Sequence, residues 1–271
     1  MKTITLESWE SFEQHVVLMI SNFEKRKAEG KYNQWATPRF RGHADAEWKL
    51  ETTLERFTKK PSWSQEQYYK AIRDIRPAVI SITGKSWDIP EFEDGKLAPS
   101  GYEFMIYLRH HGFPSPLLDW TRSPYVAAFF AFQSQEQPKS GKVAIYSYAE
   151  HFGGTMIAND LSEPTVHGLG PYAVTHKRHY AQQCEYSICA QQIDGKYVYV
   201  SHENPRFVAP TSDLGPVKKY ILPASERTRA LSCLHRMNVT AFSLFGSEES
   251  LMETLAYQEI ELGNHFTNEE R

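Results

Sequence analysis

The sequence has no apolar run long enough to cross a bilayer. Its longest, Tyr125 to Phe132, falls far short of the roughly 20 residues a spanning helix needs. Cysteine is scarce, with Cys184, Cys189 and Cys233 the only three in 271 residues. An odd, sparse set gives no disulfide framework and fits reduced thiols. Cys184 and Cys189 also lack the close spacing of a zinc motif, so they read as buried neutral thiols. Charge of one sign is missing too. Lys and Arg number 30 against 33 Asp and Glu, for a net charge of −3. That excludes a broadly basic nucleic-acid-binding surface and leaves only local patches. There is no glycine-rich phosphate loop, no Gly-x-Ser-x-Gly elbow and no His-Glu-x-x-His run. The start, Met1-Lys2-Thr3-Ile4, carries no apolar leader, so the expected location is the cytoplasm and no membrane contact is expected.

What is present suffices for a core. Hydrophobic residues make up 41%, charged residues 23% and aromatics 13%, which argues against disorder. Residues 8–29 predict a helix, with Ser8 as cap, Trp9, Phe12, Val16, Ile20 and Phe23 recurring at helical spacing, and Gly30 as stop. A strand is expected over 35–43 and a helix over 64–83 with Tyr69, Ile72, Ile75 and Val79 on one face. A loop should span 86–100 and a helix Tyr102 to His110. Thr121 to Phe132 predicts a helix packed all round. Strands are expected at Val143–Tyr148, Tyr186–Ala190, Tyr197–Val200 and Lys218–Leu222. Ser225 should cap a helix reaching Met237 with Leu231, Leu234 and Met237 inward, and a short helix should cover 248–256. The order lacks regular βαβ alternation, so the expected fold is α+β: one domain, a mixed sheet flanked by helices. Residues 1–34 would form a helical extension packed on a domain of 35–271.

Three segments are dense in groups that bind ligands. In Phe40-Arg41-Gly42-His43, Arg41 offers a planar fork for phosphate, and Gly42 allows close backbone approach. A structural ion pair explains the same arginine. The second segment runs from Leu108 to Pro124 and includes His110, His111, Asp119, Trp120, Thr121 and Ser123. It ends at a helix start, where Asp119, Thr121 or Ser123 can cap and free amides can hold an anion. Adjacent histidines usually diverge and no third ligand sits at a helpful spacing, so no metal is expected. The third runs from Arg178 to Ser187. Strand alternation would place Gln183 and Glu185 on one face, either as pocket groups or on a solvated edge.

Together these segments resemble the FRG domain family, named for the Phe/Tyr-Arg-Gly motif matched by Phe40-Arg41-Gly42. Its central signature, approximately His-x-Gly-x-Pro-Thr-Arg-Leu-Leu-Asp-Trp-Thr, is matched by His110 or His111, Gly112, Pro114 and Leu117-Leu118-Asp119-Trp120-Thr121, then Ser123-Pro124. Arg178, Gln182 and Tyr186, and later Ser243-Leu244-Phe245-Gly246, are similar to further family segments, so the resemblance covers roughly 40–256. The usual Thr-Arg before Leu-Leu is Ser115-Pro116 here, with Arg109 and Arg122 as substitutes.

FRG domains in turn resemble the ADP-ribosyltransferase fold. The resemblance implies NAD as substrate and no metal. Arg41 would grip the pyrophosphate or ribose, and an Asp119-Trp120-Thr121 turn would hold the nicotinamide side. Glu185 would stabilise the sugar cation as catalytic carboxylate, with Gln183 orienting the acceptor. Gly42, His110, Ser123 and Gln182 complete the expected NAD site. The implied role is a phage-defence toxin that modifies RNA to block translation and is held by an antitoxin protein. The patch Lys177-Arg178-His179 with Tyr180 suits RNA, and a solvated face explains it equally. The alternatives are a protein acceptor, NAD hydrolysis, a nuclease, or a nucleotide-sensing module without turnover.

Overall fold

The computed structural model describes residues 1–29, 38–93, 99–148, 162–170, 173, 177–203, 206–207 and 217–262. Gly30, the expected stop of the first helix, residues 35–37 of the expected strand and the boundary at 34 lie outside the described residues. So do residues 94–98 of the expected loop.

In chain order the elements are β1 (Lys2–Thr5), α1 (Trp9–Ala28), β2 (Arg39–His43), α2 (Thr53–Thr58), β3 (Ser62–Ser64), α3 (Gln65–Thr83) and α4 (Tyr102–His110). Next come β4 (Leu118–Thr121), α5 (Pro124–Phe132), β5 (Lys142–Tyr148), β6 (Thr165–Gly168), α6 (Lys177–Ala181), β7 (Cys184–Ile193) and β8 (Lys196–Val200). The last are β9 (Arg206–Phe207), β10 (Val217–Pro223), α7 (Arg227–Arg236), α8 (Ala241–Phe245) and α9 (Glu248–Ala256), followed by a π-helical turn, Tyr257–Leu262. No helix among the described residues is long and apolar enough to cross a membrane.

The strands form one ten-stranded sheet in the order β1-β10-β5-β2-β4-β7-β6-β9, with β8 also on β7 and β3 on β8. The pairs β1–β10 and β6–β9 are parallel and the others antiparallel, so the fold is a single α+β domain with a mixed sheet. The N-terminal segment contributes β1 to the sheet edge, and α1 sends Trp9, Phe12 and Val16 into the core. Ser8 caps α1 as expected, accepting from the Ser11 amide at 3.2 Å, and Glu226 accepts from the Trp9 amide at 2.8 Å. Ile20 is exposed rather than inward.

Alternation on β2 explains the layering. Phe40 joins the core cluster around α5, with Val126, Ala127 and Phe129. A second cluster packs α4 on Tyr186 and Ile188 of β7. A third, with Trp120, Tyr146, Tyr148 and Cys189, fills the centre of the opposite sheet face.

Three further expectations need correction. Residues 118–121 are a strand, not the turn or helix start expected of them, and α5 begins at Pro124 behind the cap Ser123. Four residues are too short for a periodic signal, and pairing with β7 decides the conformation. Ser225 lies in a 3-10 turn, Ala224–Glu226, so α7 starts later than expected. Met237 lies past α7 and is 46% exposed, while Leu231 and Leu234 are buried as expected.

Candidate functional site

The site grows from the way β2 leaves β4. Strand β2 pairs with β5 over all five of its residues, but with β4 only through Phe40 and Thr121. Beyond that pair the two strands part. The Arg41 Nη1 donates to the Asp119 carbonyl at 2.8 Å, so a guanidinium takes up a backbone acceptor that a continued ladder would use. Arg41 Nε donates to His43 Nε2 at 3.0 Å.

A cavity of about 840 Å³ opens at this split. Arg41, Lys49, Arg56, Arg109 and Arg178 supply positive charge to its lining, while Trp48, Phe130 and Phe245 supply rings. Its carboxylates are Asp119 and Glu51. Asp119 Oδ2 accepts from Arg109 Nη2 at 2.5 Å, and its buried Oδ1 has no hydrogen-bond partner among the described residues. Burial pushes the Arg41 pKa down to about 10, partly offset by Asp119. Burial, then the Arg41 charge, pushes His43 down to about 3, so it stays neutral at ordinary pH. A second cavity, about 630 Å³, lies between α5, α7 and α9. It is lined mostly by apolar groups and holds none of the candidate residues, so the chemistry is argued for the first.

The structure brings most of the expected residues to the first cavity: Arg41, Gly42, His110, Asp119, Trp120, Thr121 and Gln182 all line it. Several also have structural work. Trp120 is buried against Tyr148, and its Nε1 donates to Ser187 Oγ at 2.8 Å. Thr121 Oγ1 donates to the Gln182 carbonyl at 2.7 Å, and Gln182 Nε2 donates to the Leu244 carbonyl at 3.2 Å. Gly42 meets a helix as well as the cavity. A Cβ there would collide with the Ala127 carbonyl and stand 2.7 Å from the Ala131 amide, so glycine lets α5 seat on β2.

Three expected residues lie elsewhere. Ser123 caps α5, accepting from the Val126 amide at 3.2 Å, and does not line the cavity. Gln183 is exposed in a left-handed turn with φ 50. Strand β7 begins only at Cys184, so alternation does not align Gln183 with Glu185. Glu185 is buried and paired with Arg39, with Arg122 Nε 3.9 Å from its other oxygen, and it is outside the lining.

The departure at Ser115-Pro116 is also placed. Ser115 is fully buried and its carbonyl accepts from the Leu54 amide at 3.1 Å, away from the cavity. Of the two candidate substitutes, Arg109 lines the cavity from α4 and Arg122 does not. Sequence reasoning missed Lys49, Arg56 and Trp48. A readable signal was the capping box of α2, where Thr52 Oγ1 accepts from the Glu55 amide and Glu55 accepts from the Thr52 amide.

Fold and site together define an α+β domain with a cationic, partly aromatic cavity at a parting of its sheet. Residues 37–140, a span that includes β2 through α5, match the FRG domain family. No curated protein matches the chain. No solved structure matches it either.

Proposed function

We propose that the cavity binds NAD and that the protein is an ADP-ribosyltransferase. The observation that carries this reading is the grouping of five cationic side chains with the rings of Phe40, Trp48, Trp120, Phe130 and Phe245 around one cavity, with Arg41 at the strand split. A pyrophosphate needs fixed donors of positive charge, and flat bases need apolar faces. The volume suits a ligand of dinucleotide size.

Transfer starts when the bond from ribose C1′ to the nicotinamide nitrogen breaks and nicotinamide leaves with the electron pair. The sugar then carries oxocarbenium character, which a nearby carboxylate stabilises. Asp119 is suited to that task, since it lines the cavity and Arg109 fixes its Oδ2. Glu185 enters the chemistry only if its pair with Arg39 opens. In the present geometry its work is to tie β7 to β2. An acceptor nucleophile then attacks C1′, forming the new bond as its proton passes to solvent.

RNA is the proposed acceptor. Arg178 on the lining, Lys177 and the largely exposed Tyr180 ring stand together on α6. The wider role, a phage-defence toxin held by an antitoxin protein, follows from the family resemblance. Incubation with labelled NAD and, separately, RNA or lysate protein tests the reading. Label on RNA supports it, and label on protein moves the acceptor. Free ADP-ribose alone makes the protein a hydrolase.

A further inference from the structure

Three side chains that ligate metals meet beside this cavity, two of them on its wall. His110 ends α4, His179 lies in α6 and Cys184 opens β7. Their donor atoms all lie within 4.8 Å of one another. The Tyr186 hydroxyl stands among them, 2.7 Å from His110 Nε2 and 3.2 Å from His179 Nδ1. His179 and Cys184 are buried, and His110 and Cys184 also face the cavity. The group is held in place by its surroundings. Cys184 and Tyr186 share one face of β7, and the His179 ring stacks on Tyr186 with centroids 5.6 Å apart.

We propose that His110, His179 and Cys184 form a binding site for a divalent transition-metal ion of the zinc class, with Tyr186 Oη as the fourth donor. Two imidazoles and a thiolate are a borderline-soft set that selects zinc or cobalt over magnesium or calcium. With metal–nitrogen bonds of about 2.0–2.1 Å, the edge of a tetrahedral shell is about 3.3 Å. Tyr186 Oη stands 2.7 and 3.2 Å from the two imidazole nitrogens and the three ligand atoms lie within 4.8 Å of one another, so seating the ion draws the ligands together by up to about 1.5 Å. Binding forms bonds from both imidazole lone pairs, the Cys184 sulfur and a lone pair of the Tyr186 hydroxyl, which keeps its proton, while the thiol proton is released to solvent. No electron is transferred. Adjacent-residue spacing at His110 and His111 hid this set, because its other members come from α6 and β7.

The test needs no nucleotide, so it stands or falls apart from the NAD reading. Full-length protein is stripped with chelator, loaded with Co²⁺ and desalted. The proposal expects about one cobalt per chain and a thiolate-to-cobalt charge-transfer band in the near ultraviolet. Cys184→Ser should lose the band while Cys189→Ser keeps it, and His179→Gln should retain at least about tenfold less metal. Should Cys184→Ser not fold, His179→Gln carries the same comparison. Wild-type protein that holds no cobalt above background would overturn the site and leave a hydrogen-bonded hub around Tyr186. A band that persists in Cys184→Ser, or full metal content in His179→Gln, would overturn it equally.

Discussion

Arg41 reaches across the parting of β2 and β4 and donates to the carbonyl of Asp119 at 2.8 Å. The arginine is thus a strand-bridging group and a cavity cation at once. Arg41→Ala should weaken NAD binding by about tenfold or more, since a charged hydrogen bond contributes about 1.5–3 kcal/mol. Arg41→Lys keeps the charge but loses the planar fork, and should recover only part of the affinity. Calorimetric titration of both variants checks this, and equal affinity in Arg41→Ala and wild type would remove Arg41 from the ligand.

Two carboxylates are separated by their surroundings. Asp119→Asn should leave NAD bound but slow transfer by about a hundredfold or more, in line with the removal of one electrostatic stabiliser. Glu185→Gln should act mainly on stability, since breaking a buried pair costs about 3–5 kcal/mol. Denaturant melts beside single-turnover rates separate the two. A Glu185→Gln protein with wild-type stability and no transfer would return the catalytic role to Glu185.

Gly42 tests the packing of β2 on α5. A methyl group there meets the Ala127 carbonyl and the Ala131 amide, so Gly42→Ala should cost about 3 kcal/mol or more in stability. Ser is expected to be no better. A thermal melt within a degree or so of wild type would show that β2 and α5 can move apart freely.

Two buried histidines give a pH dependence. Burial pushes His43 and His202 each down to about 3, from the ordinary 6.5. The unfolded chain then binds more protons than the folded one between those values. Stability is fully present above about pH 6.5 and is lost as pH falls toward 3, by up to about 1.4 kcal/mol per pH unit for each histidine. Urea melts at stepped pH should show this, with a shallower slope in His202→Asn. A slope unchanged by that substitution would mean His202 takes up its proton without opening the fold.

The sequence shows the elements whose pattern is long or strongly bounded. Tyr102 to His110 and 248–256 match α4 and α9, and 64–83 matches α3 to within a residue. Strand β7 is longer than expected at both ends, because its pairing with β4, β6 and β8 extends it past its apolar run. Elements set by partners were not legible. The strand β1 exists because β10 offers an edge, and β4 because β7 does. In the site, Arg41 and Asp119 were legible from the motifs. The Arg39–Glu185 pair was not, since it joins residues far apart in sequence through strands whose neighbours the sequence does not name. The turn at Gln183, with φ 50, breaks the alternation that was expected to set Gln183 and Glu185 on one face.

The most direct measurement is label transfer from NAD with the adenylate phosphate radiolabelled, comparing wild type, Arg41→Ala and Asp119→Asn on purified RNA. The account predicts label on RNA with wild type and its loss in both variants, with NAD still bound by Asp119→Asn. NAD that is neither bound nor consumed by the wild-type protein would contradict it.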